Sequence, residues 1–409
     1  MNPRNLKYGH STISLNMPEK AVPLSHTEPP LSVSSSGFTR DLRSCLYMMK
    51  SKIRDAGIVV SDKTRLCQYP LYLPLLTEVL MENGLKRDDI TFYIAYGTHP
   101  PQTEEESLAS YGETYLNFRF VHHDCRNEAT LVRLGTTSRG TEITLRKEIP
   151  EHDLLITFGS VLHHYFAGFG GGRKLLFPGL AGFRSILQNH SLYLDFKNRT
   201  LREGCRSGQL DGNPLAMDLE EINNYMPDRL EIMAILDSKR EVCEMHFGSG
   251  YEDFREVCDR YDSYFRVGDD RRYDLVVASA GGYPKDINFI QSHKSIHNAA
   301  SFVKDGGTLV ILAECADGLG NRAFADIFRE GDHHRIFERM EKQYENNAGT
   351  ALAMLEKTRR IGIRFMTSLE AETCRMMGAL KITPEAAQKL IDGEKGEVAW
   401  IENASMLYR

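Results

Sequence analysis

Apolar residues in this chain come in short dense blocks separated by polar, Gly- and Pro-bearing stretches. The first series is "GIVV" at 57–60, "ITFYIAYG" at 90–97, "DLLITFG" at 153–159 and "LEIMAIL" at 230–236. Each block reads as a buried strand. Between the first two lies "PLYLPLLTEVLMENGL", with Pro74 suited to a first helical turn and Gly84 to a C-cap. The order is therefore strand, helix, strand. That alternation predicts a largely parallel α/β sheet. A polar stretch, "VGDDRRYD" at 267–274, precedes a second series of the same kind: "LVVASAGG" at 275–282, a helical segment to about 304, "GGTLVILAEC" at 306–315, more helix, and "IGIRFMTS" at 361–368. The expected organisation is two α/β domains, 1–268 and 269–409, each with a largely parallel Rossmann-like sheet. "SVSSSG" at 32–37 reads as a loop, and "EVAWIENASMLYR" at the end fits a strand with a helical turn or an extended tail.

Composition narrows the function classes. With 409 residues the chain can support two separate cores. A net charge of −6 with no basic run argues against nucleic acid as a partner and for a small molecule. No stretch reaches the eighteen apolar residues of a membrane span, and the first thirty residues lack the basic start and apolar run of a secretory signal. Eight scattered cysteines without a CxxC pair fit reduced core thiols in a cytoplasmic protein.

Ligands of open parallel sheets bind beyond the carboxyl ends of the strands. After "GIVV" come Asp62, Lys63, Thr64 and Arg65; after "ITFYIAYG" come Thr98 and His99; after "DLLITFG" come His163, His164 and the glycine loop "AGFGGGRKLLFPG". Three strand ends thus converge on one rim, although Asp62 or Thr64 is equally suited to capping a helix. The loop is not a phosphate loop, because Lys174 is followed by Leu175 rather than Ser or Thr, and Arg173 stands where a dinucleotide fingerprint needs its third glycine. Lys174 is left as a solvated cation, a phosphate ligand or a Schiff-base amine. Downstream, "FRSILQNHSLYL" reads as helical, with Ile186, Leu187 and His190 on one face. His190 has no metal-binding companion at HxxxH or HxxE spacing, so a metal there needs ligands from another source. Gln291 and Lys294, three apart at the start of a probable helix, share a face that is either solvated or grips a carboxylate.

The glycine-loop segment with His164, Lys174 and His190, together with "DKTR", "YGTH" and "QSHK" in order, resembles the signature of the nickel-pincer lactate racemase family. The resemblance covers most of the chain. It implies a pyridinium-3-thioamide-5-thiocarboxylate mononucleotide tethered covalently to Lys174, with nickel held by the cofactor and by His190. Gly170, Gly171 and Gly172 would let backbone approach that nucleotide, and Asp62 would bond to it or orient Arg65. His99 and His164 would be the acid/base pair, one for each enantiomer of a 2-hydroxy acid, as neutral imidazoles suit. Arg65 would hold the substrate carboxylate, with Gln291 and Lys294 reaching across from the second domain, so the expected active site lies at the domain interface. The implied activity is that of an isomerase, a racemase or epimerase working through a 2-keto intermediate. The implied partners are the small-molecule substrate and the cofactor-synthesis enzymes, and the oligomeric state is left open.

One departure bears on substrate. Where the family carries a pocket tryptophan, the best alignment places Asn347, in "ENN", and the single tryptophan is Trp400. An amide in place of an indole favours a larger polar substrate such as malate, 2-hydroxyglutarate or a sugar acid. Two other readings are a phosphate-binding or Schiff-base enzyme without nickel, and a non-catalytic carrier of the nickel cofactor. His163, His293 and Arg173 adjoin the motifs without an assigned role.

Overall fold

The computed structural model describes residues 2–30, 32–49, 53–320, 322–330 and 332–409. The chain forms two compact units, one of Glu28–Leu192 with Gly204–Tyr264 and one of Met1–Thr27, Tyr193–Glu203 and Phe265–Arg409. The N-terminal strands Asn2–Tyr8 and Ser11–Met17 pair antiparallel and bury Leu6, Leu15 and Met17 with Leu275, Val310 and Ile391 of the C-terminal segment. Only one apolar face per strand is used, which leaves no dense apolar block to betray the hairpin in the sequence.

The first unit is built on a six-stranded sheet. Its spatial order is Val242–Gly248, Leu230–Leu236, Leu154–Ser160, Ala56–Ser61, Ile90–Ala95 and Arg119–His122. All neighbours are parallel except Val242–Gly248, which returns antiparallel on Leu230–Leu236. Ala56–Ser61 is buried at every position, as expected for a strand covered on both faces. The chain first builds outward to Ile90–Ala95 and Arg119–His122, then returns to the other side through Leu154–Ser160. The strand order therefore reverses between Ala56–Ser61 and Leu154–Ser160, and the carboxyl ends of two such strands are where open α/β sheets bind their ligands. Tyr69, fully buried, ties the two ends together: its hydroxyl donates to the Phe158 carbonyl at 2.7 Å and accepts from the Ser61 amide at 2.9 Å.

The helix Tyr69–Glu82 follows the first strand. Pro70, rather than Pro74, occupies its first turn, and Pro74 lies inside the helix. Gly84, at φ +99°, ends it as expected; Gly84 N–H bonds Met81 O at 3.0 Å and Leu85 N–H bonds Leu80 O at 3.3 Å. "SVSSSG" is a loop only in part, because Ser34 caps a helix Ser35–Met48 by accepting the Gly37 amide. Phe38, Leu42 and Leu46 of that helix pack into the core beside Tyr72 and Phe158. Four-residue apolar spacing among serines and charges hid the helix in the sequence.

The second unit carries an all-parallel sheet in the order Leu380–Lys381, Gly362–Met366, Val303–Leu312, Tyr273–Ser279, Val398–Ile401 and Val22–Pro23. The undecided C-terminal segment is thus a strand, Val398–Ile401, and its register with Leu275–Ala278 buries it centrally. All eight cysteines are free, and every one except half-buried Cys45 is buried. Among the described residues no helix is long and apolar enough to cross a membrane.

Candidate functional site

Five of the expected residues gather at the reversed strand order in the first unit. Asp62 follows Ala56–Ser61 and caps the short turn Lys63–Arg65, accepting from the Thr64 amide at 3.0 Å and its hydroxyl at 2.5 Å. Its other oxygen bonds His99 Nδ1 at 2.5 Å. Both carboxylate oxygens are therefore engaged by protein. Burial opposes the charge of Asp62, yet the His99 hydrogen bond, with Arg65 and Thr64 beside it, holds the carboxyl far below its usual range. His99 is presented by a tight turn in which Gly97, at φ +57°, donates to the Gly179 carbonyl at 2.9 Å. Because Nδ1 faces a carboxylate, the neutral ring carries its proton there and leaves Nε2 as the lone-pair nitrogen. The sequence placed Asp62 beside a cofactor or Arg65; its bond to His99, 37 residues away, is a tertiary fact.

His164 ends the short strand Leu162–His164, which pairs antiparallel with Gly168–Gly170. Its Nδ1 accepts the Ala167 amide at 3.3 Å, so in the neutral ring Nε2 carries the proton. The two histidines thus hold opposite tautomers. The neighbouring His163 turns elsewhere, its Nε2 bonding Asp262 at 2.9 Å.

Lys174 lies in the short turn Gly172–Leu175, whose amide and carbonyl bond Gly171 O and Gly179 N. Adjacent side chains of such a turn diverge. Arg173 is buried against Phe254 and Tyr251, its guanidinium carbon 4.6 and 5.1 Å from their ring centres, and burial lowers its pKa. The Lys174 amine instead stands 5.9 Å from the Phe166 ring centre. A side chain on Gly171, at φ +82°, would meet the Ser160 carbonyl at 2.3 Å, and one on Gly172 would meet the Phe254 ring at 2.5 Å. Both glycines are thus required by the packing of the protein on itself, whereas Gly170 has ordinary room beside Leu162.

His190 sits in the last turn of the helix Phe183–Ser191. Three polar residues fix that helix to the hairpin Leu131–Thr136 and Glu142–Arg146 and to the unit core. Ser185 bonds Thr144 at 2.7 Å, Gln188 accepts the Glu142 amide at 2.8 Å, and Asn189 donates to Asp218 at 2.8 Å. Fully buried Asp218 also accepts the hydroxyls of Thr137 and Thr141 at 2.6 and 2.7 Å. His190 has its pKa lowered to about 3, first by burial and then by the positive charge of Lys174 and His99. It is a neutral imidazole across the physiological range, the form in which a histidine ligates a metal. Among the described residues no group of three or more His, Cys, Asp or Glu is arranged to hold a metal, so a metal on His190 would draw its other ligands from a cofactor.

In the second unit, Asn288 caps the helix Phe289–Ala300 and Lys294 Nζ donates to Gln291 Oε1 at 2.8 Å. The two side chains share a face, as their spacing predicts. His293 is buried beside Phe289 and His297, and burial followed by the Lys357 charge depresses its pKa well below that of a free imidazole. Asn347 precedes the helix Ala348–Arg360 at φ +67° without capping it. Asn enters that left-handed region more readily than most side chains, so the backbone itself favours it there.

Two family models match the chain, the lactate racemase N-terminal domain over residues 8–201 and the lactate racemase C-terminal domain over 269–365. The chain belongs to the lactate racemase family. Lactate racemase of Thermoanaerobacterium thermosaccharolyticum is 33% identical over 274 residues, which cover 67% of this chain and 63% of that protein. Lactate racemase of Lactiplantibacillus plantarum is 30% identical over 281 residues, 68% of this chain and 65% of that protein. The matched stretches thus span under two thirds of these relatives. The fold is that of the lactate racemase apoprotein from T. thermosaccharolyticum, with a TM-score of 0.88 at 24% identity over 99% of each chain. A Thermotoga maritima protein shares it at a TM-score of 0.70 and 17% identity, over 94% of this chain and 99% of that one. Phe166 and Asp218, prominent in the lactate racemase fold seen here, carried no signal in the sequence, since an aromatic beside glycines and an acid on a helix are common.

Proposed function

We propose that this chain inverts C2 of a 2-hydroxy acid, using nickel and a pyridinium-3-thioamide-5-thiocarboxylate mononucleotide carried on Lys174. The observation that supports it most is the packing of His164, His190 and Lys174 around one phenyl ring, with the Asp62–His99 pair at the adjoining strand end. The donor set suits such a group: His190 is a neutral nitrogen ligand, and Lys174 is a primary amine on a turn of fixed backbone. When bound, the group supplies the acceptor and donor of the substrate's α-hydrogen. The chain's own residues move the proton. His99 Nε2 takes the hydroxyl proton as the 2-keto acid forms, with Asp62 stabilising the resulting imidazolium. His164, acting as the imidazolium, returns its Nε2 proton to the oxygen when the α-hydrogen is restored to the opposite face and keeps the remaining proton on Nδ1, which gives up its bond from the Ala167 amide. For the other enantiomer the roles exchange. Arg65 has a fork suited to the substrate carboxylate, and within the second unit the Gln291–Lys294 pair is a carboxylate-binding group. Asn347, half-buried and polar, favours a substrate with a second carboxylate or added hydroxyls.

The test is production with cofactor-synthesis enzymes and nickel, followed by mass spectrometry of the Lys174 peptide and chiral assay of lactate, malate, 2-hydroxyglutarate and sugar acids. An adduct lost in Lys174→Ala, with inversion of a polar acid outpacing lactate, is expected. Unmodified Lys174 under loading conditions would return it to a phosphate or Schiff-base role. An adduct without turnover that is unaffected by His99→Ala and His164→Ala would make the protein a carrier. Lactate as the fastest substrate would refute the polar-substrate reading alone.

A further inference from the structure

Phe166 is the common neighbour of three groups to which the proposed function gives three different tasks. Its ring meets that of His164 at 4.5 Å between centres, edge to face, and that of His190 at 5.2 Å, also edge to face. The Lys174 amine lies 5.9 Å from the same ring, inside the range of a cation–π contact. The residue is held in place from behind: its carbonyl accepts Asn213 Nδ2–H at 2.9 Å, while Asn213 Oδ1 caps the helix Pro214–Asn223 through the Leu215 and Ala216 amides. Asn213 is fully buried and Phe166 nearly so, which leaves the ring little freedom to move aside. An apolar ring with no coordinating atom thus stands against two imidazoles.

That placement has a chemical consequence. A divalent first-row metal accepts several imidazoles, and a second histidine within reach of a metal on His190 would be drawn into its coordination shell. His164 would then have its lone pair committed to the metal and be lost to proton transfer. We infer that Phe166 is a positioning residue that partitions the site, keeping His164 off the metal position at His190. The inference rests on the metal role proposed for His190, but it is testable without the nucleotide or turnover.

The experiment uses full-length protein made without cofactor-synthesis enzymes, titrated with Ni²⁺ by calorimetry and with Co²⁺ by visible absorption. Among the described residues no group of three or more His, Cys, Asp or Glu is arranged to hold a metal, so the wild-type protein should bind weakly. Phe166→Ala removes the ring that both imidazoles touch, and its affinity should rise about tenfold or more, as expected when a second ligand becomes intramolecular. The gain should vanish in Phe166→Ala combined with either His164→Ala or His190→Ala. Phe166→Leu, which keeps most of the apolar bulk, should bind as the wild type does. Phe166→Val, a milder truncation of the core, should show a smaller gain of the same kind and serves if the alanine variant folds poorly. Unchanged affinity in both truncations, or a gain that persists without His164, overturns the partition. Failure of the proposed function would show separately, as a Lys174 that takes no adduct.

Discussion

Replacing His190 with Asn should remove a pH-dependent part of the protein's stability. In the folded chain the His190 pKa is lowered to about 3, because burial and the charges of Lys174 and His99 disfavour the imidazolium. In the unfolded chain it titrates near 6.5. Between these values the unfolded state binds a proton that the folded state refuses, so stability rises with pH across this window. The contribution is fully present above pH 6.5 and is lost as pH falls toward 3. At about 1.4 kcal/mol per unit, a drop from about pH 7.5 to about pH 5 costs the wild type as much as about 2 kcal/mol through this residue. The assay is urea denaturation followed by circular dichroism at both pH values, for wild type and His190→Asn. Other titrations cancel in the difference between the two proteins' losses. The variant should lose about 2 kcal/mol less than the wild type on acidification. Parallel losses, within about 0.5 kcal/mol, would mean that His190 protonates as a solvated histidine does and would refute the reasoning.

Three further outcomes are expected. Asp62→Asn, with its Oδ1 kept on Thr64, removes the carboxylate charge and turns an amide donor toward His99 Nδ1, which reverses the His99 tautomer and should lower kcat for inversion by about 10²–10⁴, with KM and the Lys174 adduct preserved; a change in KM alone would count against the dyad. Asp218→Ala strands the buried donors of Thr137, Thr141 and Asn189 and should cost about 3–5 kcal/mol in chemical denaturation. Gly171→Ala combines a left-handed backbone with a contact at 2.3 Å to the Ser160 carbonyl, and should destabilise by more than about 2 kcal/mol or displace the Lys174 turn, read as a lower Tm or a slower adduct formation.

The sequence by itself determined the strands and the rim. Dense apolar blocks such as "GIVV" and "LEIMAIL" are legible because a strand buried on both faces has no polar alternation to confuse it. The order of those blocks, with polar residues directly after each, puts Asp62, His99, His164 and Lys174 at one end of one sheet. Elements that mix polar and apolar residues escaped: the N-terminal hairpin, the helix Ser35–Met48 and the antiparallel strand Val242–Gly248 are explained only by their packing partners. The tertiary structure alone decided which groups meet. The Asp62–His99 bond, the Asp218 anchor of the His190 helix and the contacts of the Phe166 ring with both His164 and His190 join residues whose local sequence is unremarkable. It also decided that Gly171 and Gly172 make room for Ser160 and Phe254, and that Arg173 turns inward while Lys174 turns out. The physical reason is common to all of these: periodicity reports how much of a residue is buried, whereas a proton's position, a neutral imidazole or a glycine's necessity depends on the particular atoms that folding brings within a few ångströms.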